Sequence, residues 1–120
     1  MNLRRIKNYT GTQGYVYEYY FVGKRAALPG ATESAATEYV FDVGIDRKAK
    51  FAVSVFLLDD ALKSWVATHA RTLSDAEQYG AVKMRLFQAF DEVEDIRAEG
   101  RRLIIDGDAL SEALARLGVE

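Results

Sequence analysis

Few side chains in this sequence could do chemistry by themselves: one histidine, no cysteine, seven tyrosines and a set of paired carboxylates. His69 is the only group whose ordinary pKa suits proton transfer near neutrality, so it is the one catalytic candidate. Four of the tyrosines fall in Tyr15-Val16-Tyr17-Glu18-Tyr19-Tyr20-Phe21-Val22. Rings held on a strand beside cations can stack bases while the cations neutralise phosphates. Nucleic acid or another ligand would then meet Tyr17, Tyr19, Lys24, Arg25, Arg47 and Lys48. Tyrosine equally suits a half-buried strand, where the ring packs and the hydroxyl reaches water.

The other groups point away from catalysis. General-base chemistry requires an oriented partner, and His69 falls on the apolar stripe of a helix near its end, where a cation complements the dipole. The carboxylates at Asp59-Asp60, Asp91-Glu92, Glu94-Asp95 and Asp106-Gly107-Asp108 read as caps and solvated faces. The last of these lacks the length and the bidentate glutamate of a calcium loop. No metal site and no cofactor are expected. Without cysteine there is no disulfide framework and no thiolate chemistry, which is compatible with a reducing cytoplasm.

Positioning falls to a single α+β domain spanning residues 1–120, a length sufficient for one core. The basic start Met1-Asn2-Leu3-Arg4-Arg5-Ile6-Lys7 runs into no apolar stretch, and no run approaches a membrane span. A small cytoplasmic protein of bacterial type, away from membranes, is expected.

Three strands should form an antiparallel meander: Tyr15 to Val22, Thr37 to Ile45 and Lys50 to Leu58. Gly23 to Ala35, with the only proline, forms the longest loop, while Asp46-Arg47-Lys48-Ala49 is a short turn. The faces Tyr39, Phe41, Val43, Ile45 and Phe51, Val53, Val55, Leu57 should line the core. Glu38, Val40, Asp42 and Gly44 are mostly polar, so the helices should pack mainly on one face of the sheet.

At Asp59 the period changes to that of a helix, with Leu62, Trp65, Val66 and His69 on one face. Ser74-Asp75-Ala76-Glu77 is a capping box that opens a long helix ending at Gly100. Along it Tyr79, Val82, Leu86, Ala89, Val93 and Ile96 keep a 3,4 spacing, widened by Met84, Phe87 and Phe90. Asp91, Glu92, Glu94, Asp95 and Glu99 oppose the dipole at its C-terminal end unless Arg97, Arg101 and Arg102 compensate. Arg102 to Asp106 reads as a fourth strand and Gly107-Asp108 opens a last helix, giving the order β-β-β-α-α-β-α. A right-handed crossover would return that strand to the sheet in parallel.

Charge divides at the same boundary. Residues 1–57 carry a net +3 and residues 58–120 a net −5, within an overall −2. Lys24-Arg25, Arg47-Lys48-Ala49-Lys50 and Arg4-Arg5-Ile6-Lys7 would form one positive edge if they converged. The surplus apolar surface of the long helix suggests a homodimer contact through Tyr79, Leu86, Phe87 and Phe90. The expected function is therefore a non-catalytic protein-interaction or regulatory module acting as a homo-oligomer, bound to itself or to another protein. The alternatives are a nucleic-acid-binding module using the basic, tyrosine-rich sheet edge, and a small enzyme using His69.

Overall fold

The computed structural model describes residues 5–119. Four strands follow one another as an antiparallel meander: β1 (Lys7–Thr10), β2 (Val16–Ala26), β3 (Ala36–Ile45) and β4 (Phe51–Leu58). The helices α1 (Asp59–His69), α2 (Asp75–Glu92) and the short α3 (Ile96–Glu99) then lead to β5 (Arg102–Ile105), which pairs in parallel with β4, and α4 (Gly107–Arg116) closes the chain. The result is an α+β fold with a five-stranded mixed sheet in the order β1-β2-β3-β4-β5. Among the described residues no helix is long and apolar enough to cross a membrane.

Three elements differ from the sequence reading. The N-terminal segment supplies an additional edge strand, β1, whose short, mostly exposed and polar sequence Lys-Asn-Tyr-Thr gives almost no periodic signal. Arg4 lies outside the described residues. Secondly, β2 does not stop at Gly23. The register shifts between Phe21 and Gly23 and pairing then continues to Ala26 opposite Thr37, so Val22 is a bulge and the following loop is shorter than expected.

The third difference is a break in the long helix. α2 ends at Glu92, Val93 turns to an extended conformation, and Asp95 accepts from the Ala98 amide as the N-cap of α3. An unbroken helix would have held Asp95 near its negative end, whereas Asp91 and Glu92 lie in the last turn of α2 even with the break. In the broken form Asp95 meets a helix N-terminus instead, where an anion is favoured. Val93 and Ile96 keep the apolar spacing because both still pack on the core.

The core gathers one parity of each strand: Tyr17 and Tyr19; Tyr39, Phe41 and Val43; Phe51, Val53, Val55 and Leu57; Leu103 and Ile105. Helices bring Ala61 and Trp65, then Val82, Leu86, Ala89 and Phe90, then Leu110 and Leu114. Tyr17 stacks on Phe90 with ring centres 4.1 Å apart, and Phe87 stacks on Tyr9 at 4.4 Å. The Ser74–Glu77 capping box forms in full, and Arg71 joins it by binding both Glu77 oxygens. That clamp, with the Ser74 amide, pulls the Glu77 carboxyl down to about 2.

Candidate functional site at the β3–β4 corner

The β3–β4 connection, residues 46–50, opens with a tight turn. Asp46 and Arg47 both have positive φ, 49° and 62°, and the Lys48 amide bonds the Ile45 carbonyl at 3.0 Å. Two successive left-handed residues give the twist that antiparallel strands need, and glycine or asparagine is usual there. Asp46 contributes by accepting from the Val16 amide at 3.1 Å. Arg47 has no such compensation and occupies a backbone conformation that costs a branched-out L side chain about 1 kcal/mol.

Two arginines from the other half of the chain brace the turn. Arg97 donates to the Ala49 carbonyl at 2.7 Å and Arg101 to the Ala52 carbonyl at 3.0 Å. Both guanidinium groups lie over the Phe51 ring, at 5.2 and 5.9 Å from its centre. Lys50 lies over Tyr20 at 4.9 Å. Arg97 and Arg101 thus share the corner beside Phe51, whereas Lys50 lies on the other side of the sheet over Tyr20 and Arg47 lines a separate hollow with Ile6, Asn8, Val16, Glu18 and Asp46; among the described residues none of these cations, nor Lys48, makes an ion pair within 4.0 Å.

Directly beside this corner is an open cleft of about 490 Å3 lined by Tyr15, Ile45, Glu94, Asp95 and Glu99. Its three carboxylates likewise form no ion pair among the described residues. Tyr15 is 40% exposed and the neighbouring Val16 41%. An acidic, partly apolar hollow therefore adjoins a basic knob, and neither neutralises the other.

The residues expected to contact nucleic acid are dispersed. Tyr17 and Tyr19 are buried beneath α2, and burial raises both hydroxyl pKa values. Lys24 and Arg25 are consecutive strand residues and face opposite sides. Lys24 lies over Tyr39 and reaches Asp75 at 3.8 Å, whereas Arg25 pairs with Glu38 at 2.8 Å. The structure places them roughly 23 Å of strand away from the turn carrying Arg47 and Lys48. A single edge uniting these groups is not formed.

Of the residues expected at an oligomer contact, Leu86 and Phe90 are wholly buried within the chain, while Tyr79 and Phe87 are half-buried against sheet rings. The sheet covers most of the helix surface that seemed to be in surplus. His69 sits at the last turn of α1, its Nδ1 within 2.9 Å of the Trp65 carbonyl and its ring stacked on Trp65 at 4.0 Å. Those contacts fix the ring but supply no acid or base. Among the described residues no group of three or more potential metal donors converges.

No family model, curated protein or solved structure matches this chain. Sequence reasoning passed over Arg97 and Arg101, treating them as compensation for the acidic helix end. Their i, i+4 spacing beyond an acidic run was a usable signal, but only the fold brings them to the turn.

Proposed function

We propose that the protein is a non-catalytic interaction or regulatory module of the cytoplasm that works as a homodimer, with its β3–β4 corner as the contact. The observation that carries this reading is the adjacency of the unpaired cations Arg97 and Arg101, with Lys48 on the connection they brace, to the unpaired carboxylates Glu94, Asp95 and Glu99. A surface with neighbouring patches of opposite sign is complementary to itself under a two-fold axis, since each copy offers its knob to the other's hollow. Tyr15, Ile45 and Val16 supply apolar area, because exposed ion pairs alone contribute little affinity. The cysteine-free sequence is compatible with a reducing compartment. The helices serve mainly one face of the sheet, leaving the corner free.

Light scattering across a dilution series tests this at low and high salt. The wild type should dimerise, more weakly as salt rises. Lys48→Glu and Glu99→Lys should each give monomers, and mixing the two should restore a dimer, because both contacts of the mixed pair then join opposite charges. A wild type that remains monomeric at every concentration and salt level overturns the reading. Should that monomer retard single- or double-stranded DNA or RNA, and Lys48→Glu abolish the retardation, the corner is a phosphate-binding surface instead.

A further inference from the structure

At the other end of the β3–β4 ladder, remote from that corner, the segment between β2 and β3 folds into a defined flap. The Ala31 amide bonds the Leu28 carbonyl at 3.0 Å and Gly30 has a φ of 84°, the turn that Pro29-Gly30 favours. The ends are pinned where the Ala27 amide meets the Ala36 carbonyl at 2.8 Å and the Asp59 amide meets the Ala35 carbonyl at 2.9 Å. Residues 30–33 of the flap, with Leu58, Arg102 and Ile104, line an open hollow of about 560 Å3. The Arg102 guanidinium lies over the Phe56 ring, 4.8 Å from its centre, and donates to the Ala31 carbonyl. Glu38, on the same face of the sheet, has both carboxylate oxygens engaged by Arg25 and Ser54. Among the described residues Arg102 makes no ion pair within 4.0 Å, and neither does the exposed Glu33 of the flap. Other hollows with cations differ: Lys24 and Arg25 line one but already hold Asp75 and Glu38, and Arg47 shares its own with Glu18 and Asp46.

We propose that this hollow binds a free α-amino acid with a branched aliphatic side chain. Arg102, held in place by Phe56 and Ala31, takes the carboxylate with the N–H groups that Ala31 leaves free. Glu33 takes the ammonium. Leu58 and Ile104, the latter 39% exposed, lose water against the aliphatic side chain. Unpaired charges of both signs in one hollow suit a zwitterion better than a simple anion, which Glu33 repels, or a simple amine, which Arg102 repels. The site uses neither the β3–β4 corner nor a second copy of the chain, so it stands whether or not the protein dimerises.

Titration of the full chain with L-leucine, followed by amide NMR, provides the test. The amides of residues 30–33, Leu58 and Ile104 should shift together along one saturation curve. Isocaproate, which lacks the ammonium, and isoamylamine, which lacks the carboxylate, should each bind at least about tenfold more weakly, since each forfeits one charge-assisted contact. Arg102→Gln should abolish leucine binding, while Glu33→Gln should weaken leucine to the level of isocaproate and leave isocaproate no worse. Both side chains are exposed, so the variants keep the fold, and the rest of the spectrum verifies it. Amides unmoved at about 20 mM leucine, far above a millimolar dissociation constant, overturn the proposal. So do equal affinities for leucine and isocaproate, or shifts that survive Arg102→Gln.

Discussion

The Tyr9 hydroxyl donates to the Asp91 carboxylate at 2.7 Å, tying the first strand to the last turn of α2 across 82 positions of sequence. The other Asp91 oxygen accepts from the Thr12 amide, and the Thr12 hydroxyl donates to the Asp91 carbonyl. One side chain therefore anchors the whole β1–β2 hairpin to the helix. Tyr9→Phe keeps the ring stacked on Phe87 and should cost about 1 kcal/mol, while Asp91→Ala, which also orphans the Thr12 amide, should cost about 2–3 kcal/mol. Urea unfolding measures both. Equal, negligible losses would show the anchor to be unimportant.

The same pair makes a prediction at alkaline pH. Burial first and the Asp91 bond second push the Tyr9 hydroxyl up to about 12, and burial also raises Tyr17, Tyr19, Tyr39 and Tyr79. A group raised in the folded state contributes stability that is complete below its unfolded value, near 10, and disappears as pH climbs through the folded value. Stability should therefore fall between about pH 10 and 12, with tyrosine absorbance changing in step with unfolding. Tyr9→Phe should make that fall shallower. An unaltered alkaline limb in the variant would count against the assignment.

Acid acts through a different residue. Glu38 is the buried charged side chain on the sheet face opposite the core, where Arg25 binds one carboxylate oxygen at 2.8 Å and Ser54 the other at 2.6 Å. Those bonds, Arg25 first, hold its pKa below the ordinary 4.5. The associated stability is present above that ordinary value and is lost as pH falls through the lower folded one. Glu38→Gln should cost about 1–2 kcal/mol at neutral pH and flatten the acid limb of a stability-versus-pH curve. If the limb keeps its slope in the variant, other carboxylates drive acid unfolding.

Strand positions with strong β-branched and aromatic patterns were legible in the sequence, as were the Ser74 box and the core faces of β3 and β4. Residue period marks these directly. What escaped detection depends on partners remote in the chain. β1 has no pattern of its own and exists because Tyr9 can reach Phe87 and Asp91. The α2 break is invisible to a periodicity that counts only apolar residues, because Val93 and Ile96 keep that spacing across it. The candidate site was less legible still, since Arg97 bonds Ala49 across 48 positions. Conversely Leu86 and Phe90 looked free for a partner only because the sheet's appetite for apolar surface could not be judged before its width was known.

That reassignment has a direct consequence. Phe90 is fully buried between Tyr17 and the strands, so Phe90→Ala should destabilise the monomer fold by about 3–5 kcal/mol. The measured effect should be a lower thermal midpoint, with no shift in the association constant of whatever chain remains folded. Dissociation without loss of stability would return the long helix to the role of contact surface.

Arg47 separates stability from association most cleanly. Its φ of 62° is one that glycine adopts freely and other residues do not, so the fold alone would favour glycine at this turn. Arg47→Gly should raise unfolding stability by about 1 kcal/mol by relieving that conformation. In the dimer proposed above, the same change removes one cation from the turn that borders the contact. It should therefore weaken the dimer while strengthening the protomer, a trade that unfolding at a fixed low concentration and light scattering at low salt would show together. A variant that gains stability with undiminished association would leave the strain at Arg47 without a function and remove it from the contact.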